Sequence, residues 1–372
     1  MRFHILGLAH VPAIPERSTC AYSQKTLRLS RMLIELGHEV YFYGVEGSAP
    51  QCTEFFPVVS EAVLQETYGG YDWDKEQYRH DPSDLAYSIF DDNATAQLEK
   101  CGLPGDYLLC CFGNYQRHVI ERTAHLGMTA VEPGVGYMGV VTQFRVFESY
   151  AWMHYVYGLE KRDFGQFYDS VIPNCYDPSE FSVGEETGKY LLMLTRMIES
   201  KGIRLAIEIA NLSRIPLIIA GQGNIQEFGG ESKFVEHVGA VGPGERRELL
   251  KGARALLCPT YYIGPFEGVT TEAAFSGVPS ITTDFGCFSE TVIDGITGFR
   301  CHTMAEFLQA VDFAPQLHKD TILHWATENF SLKRGKALYQ QYFENLNDVI
   351  QGKGFYEKHT RTDGYLTRGN ML

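Results

Sequence analysis

The chain has 372 residues, of which 44% are hydrophobic and 21% are charged, and its formal net charge is −14. This length predicts two domains, and the acidic balance argues against bulk attraction to nucleic acid or to anionic lipid. No apolar run approaches the roughly 20 residues that span a bilayer, and residues 1–12 lack the basic start and cleavage site of a signal peptide.

The chain begins with the pattern of a βαβ unit. An apolar strand over residues 3–10 is followed by an amphipathic helix from Ala21 to Leu36, which Gly37 caps, and by a second strand at 38–44. From Glu61 to Glu99 the pattern breaks into an acidic, aromatic segment. We interpret that segment as a functional insertion.

Asp72, Trp73 and Asp74 spell DxD, a motif that in some enzymes binds a metal ion and a diphosphate. Here it lies in an irregular tyrosine-rich stretch and does not follow a strand, so we discount a metal site. The aromatic residues of this stretch either stack on the flat face of a ligand, such as a sugar or a base, or cover the first sheet.

Order returns with a strand at 107–113 and a helix at 116–126. A strand at 128–134 and a helix-like aromatic run at 146–158 follow, and prolines in 169–181 indicate a hinge. After the hinge, strands and helices alternate again.

This alternation predicts an α/β protein with two doubly wound parallel sheets and a ligand cleft between them. The expected segments are an N-terminal domain, a C-terminal domain, a helix that packs back toward the N-terminal domain, and a polar tail. We place them at residues 1–171, 172–330, 331–350 and 351–372.

Nine cysteines show no CxxC pair and no zinc spacing. Several lie in apolar strands, where a thiol behaves as a small hydrophobic group. A reducing cytoplasm is the expected location.

The most informative stretch is 258–299. A strand ends at Cys258, a loop contains Gly264 and Gly268, and a helix rich in small residues starts near Val269. A helix start offers unpaired N–H groups to an anion, and Glu272, one turn in, is placed for a sugar or ribose hydroxyl. The stretch therefore predicts a site for a phosphorylated sugar.

Several motifs occur in a characteristic order along the chain. They are GHEV, VIPNCYDPSEF, R-x-x-x-x-K-G from Arg196 to Gly202, IAGQG ending at Gly223, GPFEGVTTEA, SGVPSITTDFG and DGITGF. In this order they resemble family 4 of the glycosyltransferases, which are retaining, metal-independent enzymes of the GT-B fold. The resemblance implies a donor of the UDP-sugar or GDP-sugar type and no other cofactor.

The resemblance also implies roles for individual residues. Arg196 and Lys201 would hold the diphosphate, the alternative being two solvated basic residues. Glu272 would accept hydrogen bonds from ribose, or simply stabilise the first helical turn. The remaining candidates for the donor site allow the backbone to approach the donor closely or lie in the same loops. They are Gly221, Gly223, Gly264, Phe266, Gly268 and Val269.

The sequence departs from the family pattern at three places. Gly264 stands where the family has a glutamate near the donor sugar, and Glu267 either replaces that contact or is a solvated turn residue. Cys20 and Ala21 replace a paired glycine at the start of the first helix, where they would approach the donor phosphates. Glu132 stands near the position of an N-domain histidine, either as a catalytic group or in a salt bridge.

We therefore expect a glycosyltransferase that moves a sugar to an acceptor hydroxyl. Two alternatives remain: a nucleotide-sugar-binding protein without transfer activity, suggested by Gly264, and a nucleotide-sugar epimerase of the same fold. The acceptor is a glycan, a lipid-linked glycan, a protein or a modified nucleic-acid base, and the sequence does not identify which; it also leaves the oligomeric state open.

Overall fold

The computed structural model describes residues 1–17, 20–70, 76, 78–185 and 188–353, and these divide into two compact units. Unit 1 comprises Met1–Glu148, Val156–Ile172 and the described residues from Gly335 onward. Unit 2 comprises Ser149–Tyr155 and Pro173–Arg334. Of the predicted polar tail at 351–372, residues 354–372 lie outside the described residues, and so does the DxD motif at 72–74.

Among the described residues, unit 1 contains a seven-stranded parallel sheet in the order β3-β2-β1-β4-β5-β6-β7. The strands are β1 (Arg2–Leu6), β2 (Glu39–Val45), β3 (Glu54–Val59), β4 (Tyr107–Cys110), β5 (Thr129–Val135), β6 (Phe144–Phe147) and β7 (Ser170–Val171).

The described part of unit 2 contains a six-stranded parallel sheet in the order β10-β9-β8-β11-β12-β13. The strands are β8 (Tyr190–Leu194), β9 (Leu217–Ala220), β10 (Val235–Gly239), β11 (Ala253–Cys258), β12 (Ser280–Thr283) and β13 (Gly298–Cys301). Both sheets thus follow the 3-2-1-4-5-6 order of doubly wound folds, which confirms the predicted fold class.

Helices form most of the connections between successive strands of each sheet, as is usual for parallel pairing, whereas loops without an α-helix join β2 to β3, β5 to β6 and β9 to β10. The bounds of the helices are α1 (Ala21–Glu35), α2 (Glu61–Tyr68), α3 (Leu85–Cys101), α4 (Arg117–Thr123), α5 (Tyr150–Leu159), α6 (Ile203–Ser213), α7 (Pro243–Lys251), α8 (Gly268–Phe275), α9 (Phe288–Thr291), α10 (Met304–Phe313), α11 (Lys319–Phe330) and α12 (Leu332–Ile350).

Strands β4 and β8 are apolar along their whole length because helices cover both faces of the sheet. In β4 the run Tyr107–Cys110 is buried at every position, and β8 is buried from Leu191 to Leu194. The cores of both units therefore form on the two faces of each sheet, and the loops at the strand ends remain available for function.

Local signals explain where the helices begin and end. The Asp84 carboxylate accepts a hydrogen bond from the Tyr87 N–H at 2.9 Å and caps the start of α3. Thr303 and Glu306 form a capping box at the start of α10. After α1, Gly37 adopts a φ of 80°, the left-handed conformation expected of a residue that ends a helix.

The structure corrects two of the sequence predictions. The segment from Glu61 to Glu99, predicted to be irregular, contains helices α2 and α3, and strand β3 precedes it. The run at 146–158, predicted to be helix-like throughout, begins with the last two residues of β6. In α3 the buried aromatic residues Tyr87 and Phe90 lie one turn apart, so the segment forms an apolar helix face despite its acidic composition.

From Gly335 onward, helix α12 packs within unit 1. The Tyr339 hydroxyl donates to the Pro133 carbonyl at 2.6 Å, and the Phe343 ring contacts that of Phe3 with 4.7 Å between the centroids. The last long helix therefore completes the core of the unit that contains the first strand.

All nine cysteines are free, and seven of them are buried. Burial raises the pKa of the Cys111 and Cys258 thiols to about 12. These side chains consequently remain protonated at neutral pH and act as apolar core residues.

Within the described ranges, no helix is long and apolar enough to cross a membrane.

Candidate functional site

The strand order of unit 2 reverses between β8 and β11, which are neighbours in the sheet. The chain leaves these two strands toward opposite sides, so a crevice opens at their carboxyl ends, where ligands bind in doubly wound folds. The loop after β8 carries Arg196 and Lys201, and the loop after β11 carries Gly264 and Glu267. The two predicted motifs therefore meet at this point.

Backbone packing holds these two loops against each other. Gly202 has a φ of 74°, and a Cβ atom added there would lie 2.2 Å from the Pro259 carbonyl oxygen. The Tyr261 N–H donates to the Ser200 carbonyl at 3.1 Å, and the Tyr261 hydroxyl donates to the Glu199 carbonyl at 2.7 Å. Only glycine combines that conformation with that contact.

Lys201 and Glu267 form a buried ion pair across the two loops. The Lys201 Nζ lies 2.6 and 2.7 Å from the two carboxylate oxygens of Glu267, and the side chains are 13% and 7% exposed. Burial alone would lower the pKa of Lys201, but the adjacent Glu267 carboxylate outweighs it and the pKa is raised. Lys201 is therefore a fixed cation at the crevice.

The Glu267 carboxylate occupies the space beside Gly264. A Cβ atom at position 264 would lie 2.4 Å from Glu267 Oε1 and 3.1 Å from its Cδ. Glu267 itself adopts a φ of 53°, a left-handed conformation that is unusual for a residue other than glycine. Of the two interpretations considered for Glu267, the buried position argues against a solvated turn residue.

Helix α8 begins directly after Glu267. The N–H groups of Gly268 and Val269 stand in the first turn, where a helix has no acceptor of its own to offer, whereas the Thr270 N–H donates to the Glu267 carbonyl at 3.1 Å. A Cβ atom at Gly268 would lie 2.1 Å from the Tyr176 hydroxyl, so glycine is needed for the close approach.

The Phe266 side chain points into the core. It is 1% exposed and packs edge-on against Phe330, with 5.7 Å between the ring centroids. This placement is inconsistent with a donor contact by the Phe266 side chain, because an apolar ring between a loop and a helix is fixed by packing. Its role at the crevice is to anchor the loop that carries Glu267.

Glu272 lies one turn into α8 and is 9% exposed. The Arg246 Nη1 atom lies 3.3 and 3.4 Å from its two carboxylate oxygens, a long contact compared with an ordinary charged hydrogen bond. Arg246, on α7, was not identified from the sequence because no local motif links the two helices. It holds Glu272 in place at the crevice.

Gly221 and Gly223 lie in the loop that follows strand β9, which is next to β8 in the sheet. Cβ atoms there would lie 1.6 Å from the Thr195 carbonyl oxygen and 2.4 Å from the Met197 Cβ. Both glycines are predicted from the sequence to let the backbone come close to the nucleotide. The contacts show that they also let the loop containing Arg196 pass close to β9.

Arg196 is exposed on the loop that follows β8. Within the part of the chain that the structure describes, its guanidinium makes no hydrogen bond or ion pair, in contrast to the ammonium group of Lys201, which it would join at the diphosphate. The side chain is therefore available to an anionic ligand without breaking a contact within the protein.

In unit 1, Cys20 is the N-cap residue of α1 and Ala21 is its first residue. Cys20 is buried and its side chain makes no capping hydrogen bond, whereas Ala21 is exposed. Nearby on the same helix, the Lys25 Nζ binds the buried Glu148 carboxylate and donates to the Gly134 carbonyl at 3.1 Å. No local sequence pattern indicates this charge pair, because its partners lie 123 residues apart.

Glu132 lies inside unit 1 and is fully buried. Its carboxylate accepts hydrogen bonds from the Tyr137 hydroxyl, from the Val141 N–H at 2.9 Å, and from both the N–H and the hydroxyl of Thr142. These bonds use both oxygens, which favours an anchoring role for the 137–142 loop over the catalytic role suggested by the sequence.

The switch point of unit 1, between β1 and β4, carries a cluster of rings. His10 is buried and its Nδ1 lies 2.8 Å from the Tyr87 hydroxyl, while its ring lies 4.8 Å from that of His80 and 5.7 Å from that of Phe112. Burial, followed by repulsion from His80, lowers the pKa of His10 to about 3. His10 is therefore a neutral imidazole at physiological pH.

Comparisons with known proteins agree with this geometry. Residues 188–314, which include both loops of the crevice, match the family model described as glycosyl transferases group 1. The chain is similar to glycogen synthase of Mycobacterium tuberculosis, with 34% identity over 125 residues. That alignment covers 30% of this chain and 30% of the relative's length, so it concerns only part of either protein.

Solved structures resemble nearly the whole chain, at identities that establish the fold alone. Sucrose-phosphate synthase from Thermosynechococcus elongatus aligns with a TM-score of 0.71 and 15% identity, covering 94% of this chain and 99% of that chain. AviGT4, a glycosyltransferase involved in avilamycin A biosynthesis, gives 0.68 and 19%, covering 93% and 98%. Anabaena HepE, in complex with UDP and glucose, gives 0.66 and 11%, covering 92% and 99%. The chain thus has the GT-B fold seen in these structures, and its residues 188–314 match the family model of glycosyl transferases group 1.

Proposed function

We propose that this protein is a retaining, metal-independent glycosyltransferase that moves a hexosyl group from a UDP- or GDP-type sugar to an acceptor hydroxyl. The observation that carries the proposal is the crevice between β8 and β11. It combines the buried Lys201 cation, the open start of α8 and the Glu272 carboxylate within the segment that matches the group 1 family.

The proposed chemistry is the stabilisation of a leaving diphosphate. As the bond between sugar and phosphate breaks, negative charge develops on the phosphate oxygens, and fixed cations and helix N–H groups stabilise that charge without reorganising. Lys201, Arg196 and the N–H groups of Gly268 and Val269 have this character. Glu272 supplies the acceptor for ribose hydroxyls.

The position of Glu267 favours an enzyme over an inactive binding protein. Gly264 suggested a lost sugar contact, but the neighbouring space is occupied by the Glu267 carboxylate, which is held by Lys201. We infer that Glu267 supplies the carboxylate for the donor sugar. Departure of the diphosphate and attack of the acceptor on the same face would then retain the anomeric configuration without an enzyme nucleophile.

The acceptor is proposed to bind at the switch point of unit 1. The rings of His80 and Tyr115 pack there against the buried rings of His10 and Phe112 and offer accessible faces for a sugar or a base. Glycans, lipid-linked glycans, proteins and modified nucleic-acid bases all remain acceptor classes to test. The nine free thiols support a cytoplasmic location, since disulfides form in oxidising compartments.

The first experiment measures release of nucleotide from a panel of UDP- and GDP-sugars, with and without candidate acceptors. The test variant is Arg196→Ala, because its exposed side chain can be removed without leaving a buried partner unpaired. Turnover should fall about a hundredfold, the loss typical of one transition-state donor. Arg247→Gln is the matched control, an exposed arginine of unit 2 that donates to the Glu180 carbonyl.

The same assay separates the alternatives. Release that an acceptor stimulates, with retained configuration in the product by NMR and full activity in EDTA, supports the proposal. Donor binding without release would instead identify a nucleotide-sugar-binding protein. Conversion of the donor sugar without any acceptor would identify an epimerase.

A further inference from the structure

Unit 1 contains a cavity away from the strand ends used above. Its volume is about 230 Å³, and the residues that line it lie between β5 and β6, at the start of β6 (Arg145), or between α5 and β7. Because β6 and β7 are parallel, the segment before β6 and the segment between α5 and β7 both lie at the amino ends of these two strands. The polar side chains in its lining are those of Thr142, Gln143, Arg145, Glu160, Arg162 and Gln166.

The charges of this cavity balance within the protein. Arg145 Nη2 lies 2.9 Å from Asp169 Oδ2, and its Nη1 lies 3.1 Å from Glu160 Oε2. Arg162 Nη1 also lies 3.1 Å from Glu160 Oε2. Two guanidinium groups thus face two carboxylates, which leaves the cavity without a net charge that would select a phosphate or a cation.

The lining is instead suited to hydroxyl groups. Amides of Gln143 and Gln166, the guanidinium of Arg162 and the carboxylate of Glu160 together supply both donors and acceptors in planar, oriented groups. The cavity is smaller than the roughly 300–1,000 Å³ of sites for drug-sized ligands, so its scale is that of a single sugar ring.

Two exposed aromatic rings flank Gln166. Phe164 is 66% exposed and Phe167 is 73% exposed, far above what packing requires of phenylalanine. The Phe164 ring centroid lies 5.8 Å from the guanidinium carbon of Arg162, which lines the cavity. The Phe167 ring lies 5.3 Å from that of Tyr168, whose hydroxyl accepts from Gln143. An aromatic face can cover the C–H face of a sugar ring. The polar cavity and the rings thus provide the two kinds of contact that an uncharged sugar offers.

The loop that carries these groups is fixed. The Tyr157 hydroxyl donates to Asp169, and a Cβ atom at Gly165 would lie 2.6 Å from the same hydroxyl oxygen. The Gln143 amide donates to the Tyr168 hydroxyl at 2.7 Å. A preformed site loses little conformational entropy when it binds.

We propose that this cavity binds a neutral sugar unit of a glycan, outside the site of transfer. The inference does not depend on the proposed transferase activity, because it rests on other residues, which lie at the amino ends of β6 and β7 in unit 1. Its effect would be to retain a glycan on unit 1 while other parts of the same glycan are free.

The test uses native gels cast with glycogen or with galactomannan, run with the full chain, and saturation-transfer NMR with free glucose, galactose and mannose. The variants Gln166→Ala and Phe167→Ala should each weaken binding about fivefold, the loss expected for one hydrogen bond or one ring contact. Phe313→Ala, which removes a ring that is 43% exposed on unit 2, is the matched control and should bind as the wild type does.

Retardation by a neutral polysaccharide that both variants reduce supports the proposal, and a saturation-transfer signal from a free sugar would show that one ring suffices. The proposal is overturned if wild-type protein binds none of these probes. It is also overturned if the wild type binds vesicles of phosphatidylglycerol and phosphatidylcholine but no glycan, and Phe167→Ala abolishes the vesicle binding. Nucleotide release by Gln166→Ala with a small acceptor should equal that of the wild type, so failure of the transferase proposal would be seen separately.

Discussion

At the scale of single residues, the crevice depends on one carboxylate in an unusual backbone conformation. Glu267 turns its side chain back toward Gly264 and holds Lys201. The sequence identified all three positions, because each is placed by a motif. It could not place the Glu267 side chain, since that depends on a φ of 53° which local propensity disfavours.

Breaking the Lys201–Glu267 ion pair should lower the stability of the protein. Lys201→Met or Glu267→Leu alone leaves a buried charge without a partner and should lower the free energy of unfolding by about 3–5 kcal/mol. The double variant removes both charges and should recover most of that loss, as measured by denaturant unfolding. Nucleotide release should be low in all three, because both variants at position 201 lose the cation proposed for the diphosphate and Glu267→Leu loses the carboxylate proposed for the donor sugar.

Equal stability of the double variant and the weaker single variant would contradict this account, and so would normal turnover in the double variant. Arg247→Gln again serves as the control for a charge change on the surface of unit 2.

His10 makes a second prediction at this scale, concerning pH. With its pKa lowered to about 3 by burial, folded His10 stays neutral while the unfolded chain takes up a proton below pH of about 6.5. Its contribution to stability is therefore complete above that pH, and is lost as pH falls toward 3, by about 1.4 kcal/mol per pH unit.

The measurement compares free energies of unfolding at neutral pH and near pH of about 4.5. The drop between them should be smaller for His10→Gln than for the wild type, whereas His324→Gln, which removes an exposed histidine, should leave the drop unchanged. Parallel losses in all three proteins would rule out the assignment.

At the scale of elements, alternation of strands and helices was readable wherever the apolar runs were uninterrupted. The strands FHIL and YLLML were predicted because parallel strands covered on both faces are continuously apolar. The prediction for the segment from Glu61 to Glu99 was wrong because the buried faces of its helices include tyrosine and small residues, which are interspersed with acidic ones. Pairs such as Lys25 with Glu148 arise only when the elements pack, so sequence alone could not supply them.

Two glycines of unit 2 offer a controlled test of loop packing. Gly202 and Gly239 have nearly equal φ values of 74° and 76°, but a Cβ atom would meet the Pro259 carbonyl at Gly202 and nothing within 4 Å at Gly239. Gly239→Ala should cost about 1–2 kcal/mol of stability from backbone strain alone. Gly202→Ala should cost more and should also impair turnover, because the loop carrying Lys201 must shift.

Thermal and denaturant unfolding of the two variants, together with nucleotide release, would check this. If the two substitutions proved equally costly, the contact between the loops after β8 and β11 would not contribute to stability.

At the scale of the whole molecule, the same strand order occurs twice, so each unit has its own switch point. The fold class was predictable because it depends on the repeated alternation and not on any single side chain. Only the switch point of unit 2 lies within the segment that matches the group 1 family. Ligand effects should therefore differ between the units.

Hydrogen exchange with UDP or GDP tests this expectation. Saturating nucleotide at about 100 times its Kd should add about 2.7 kcal/mol to the stability of the state that binds it. The protection should concentrate in β8, β11 and α8, with little change in β2 and β3 of unit 1. UMP or GMP, which lacks the second phosphate, should protect less, and the Lys201→Met/Glu267→Leu double variant should lose that difference.

Uniform protection of both units, or equal protection by monophosphate and diphosphate, would contradict a diphosphate grip at α8.

The buried thiols have a practical consequence for such experiments. Cys20, Cys110 and Cys111 lie in unit 1, while Cys175, Cys258, Cys287 and Cys301 lie in unit 2. A sulfhydryl reagent reacts with thiolate that solvent can reach, so each of these positions becomes alkylated only when its surroundings open. The chain thus carries built-in footprinting labels, and mass spectrometry of the modified peptides would time the opening of each half without any engineered probe.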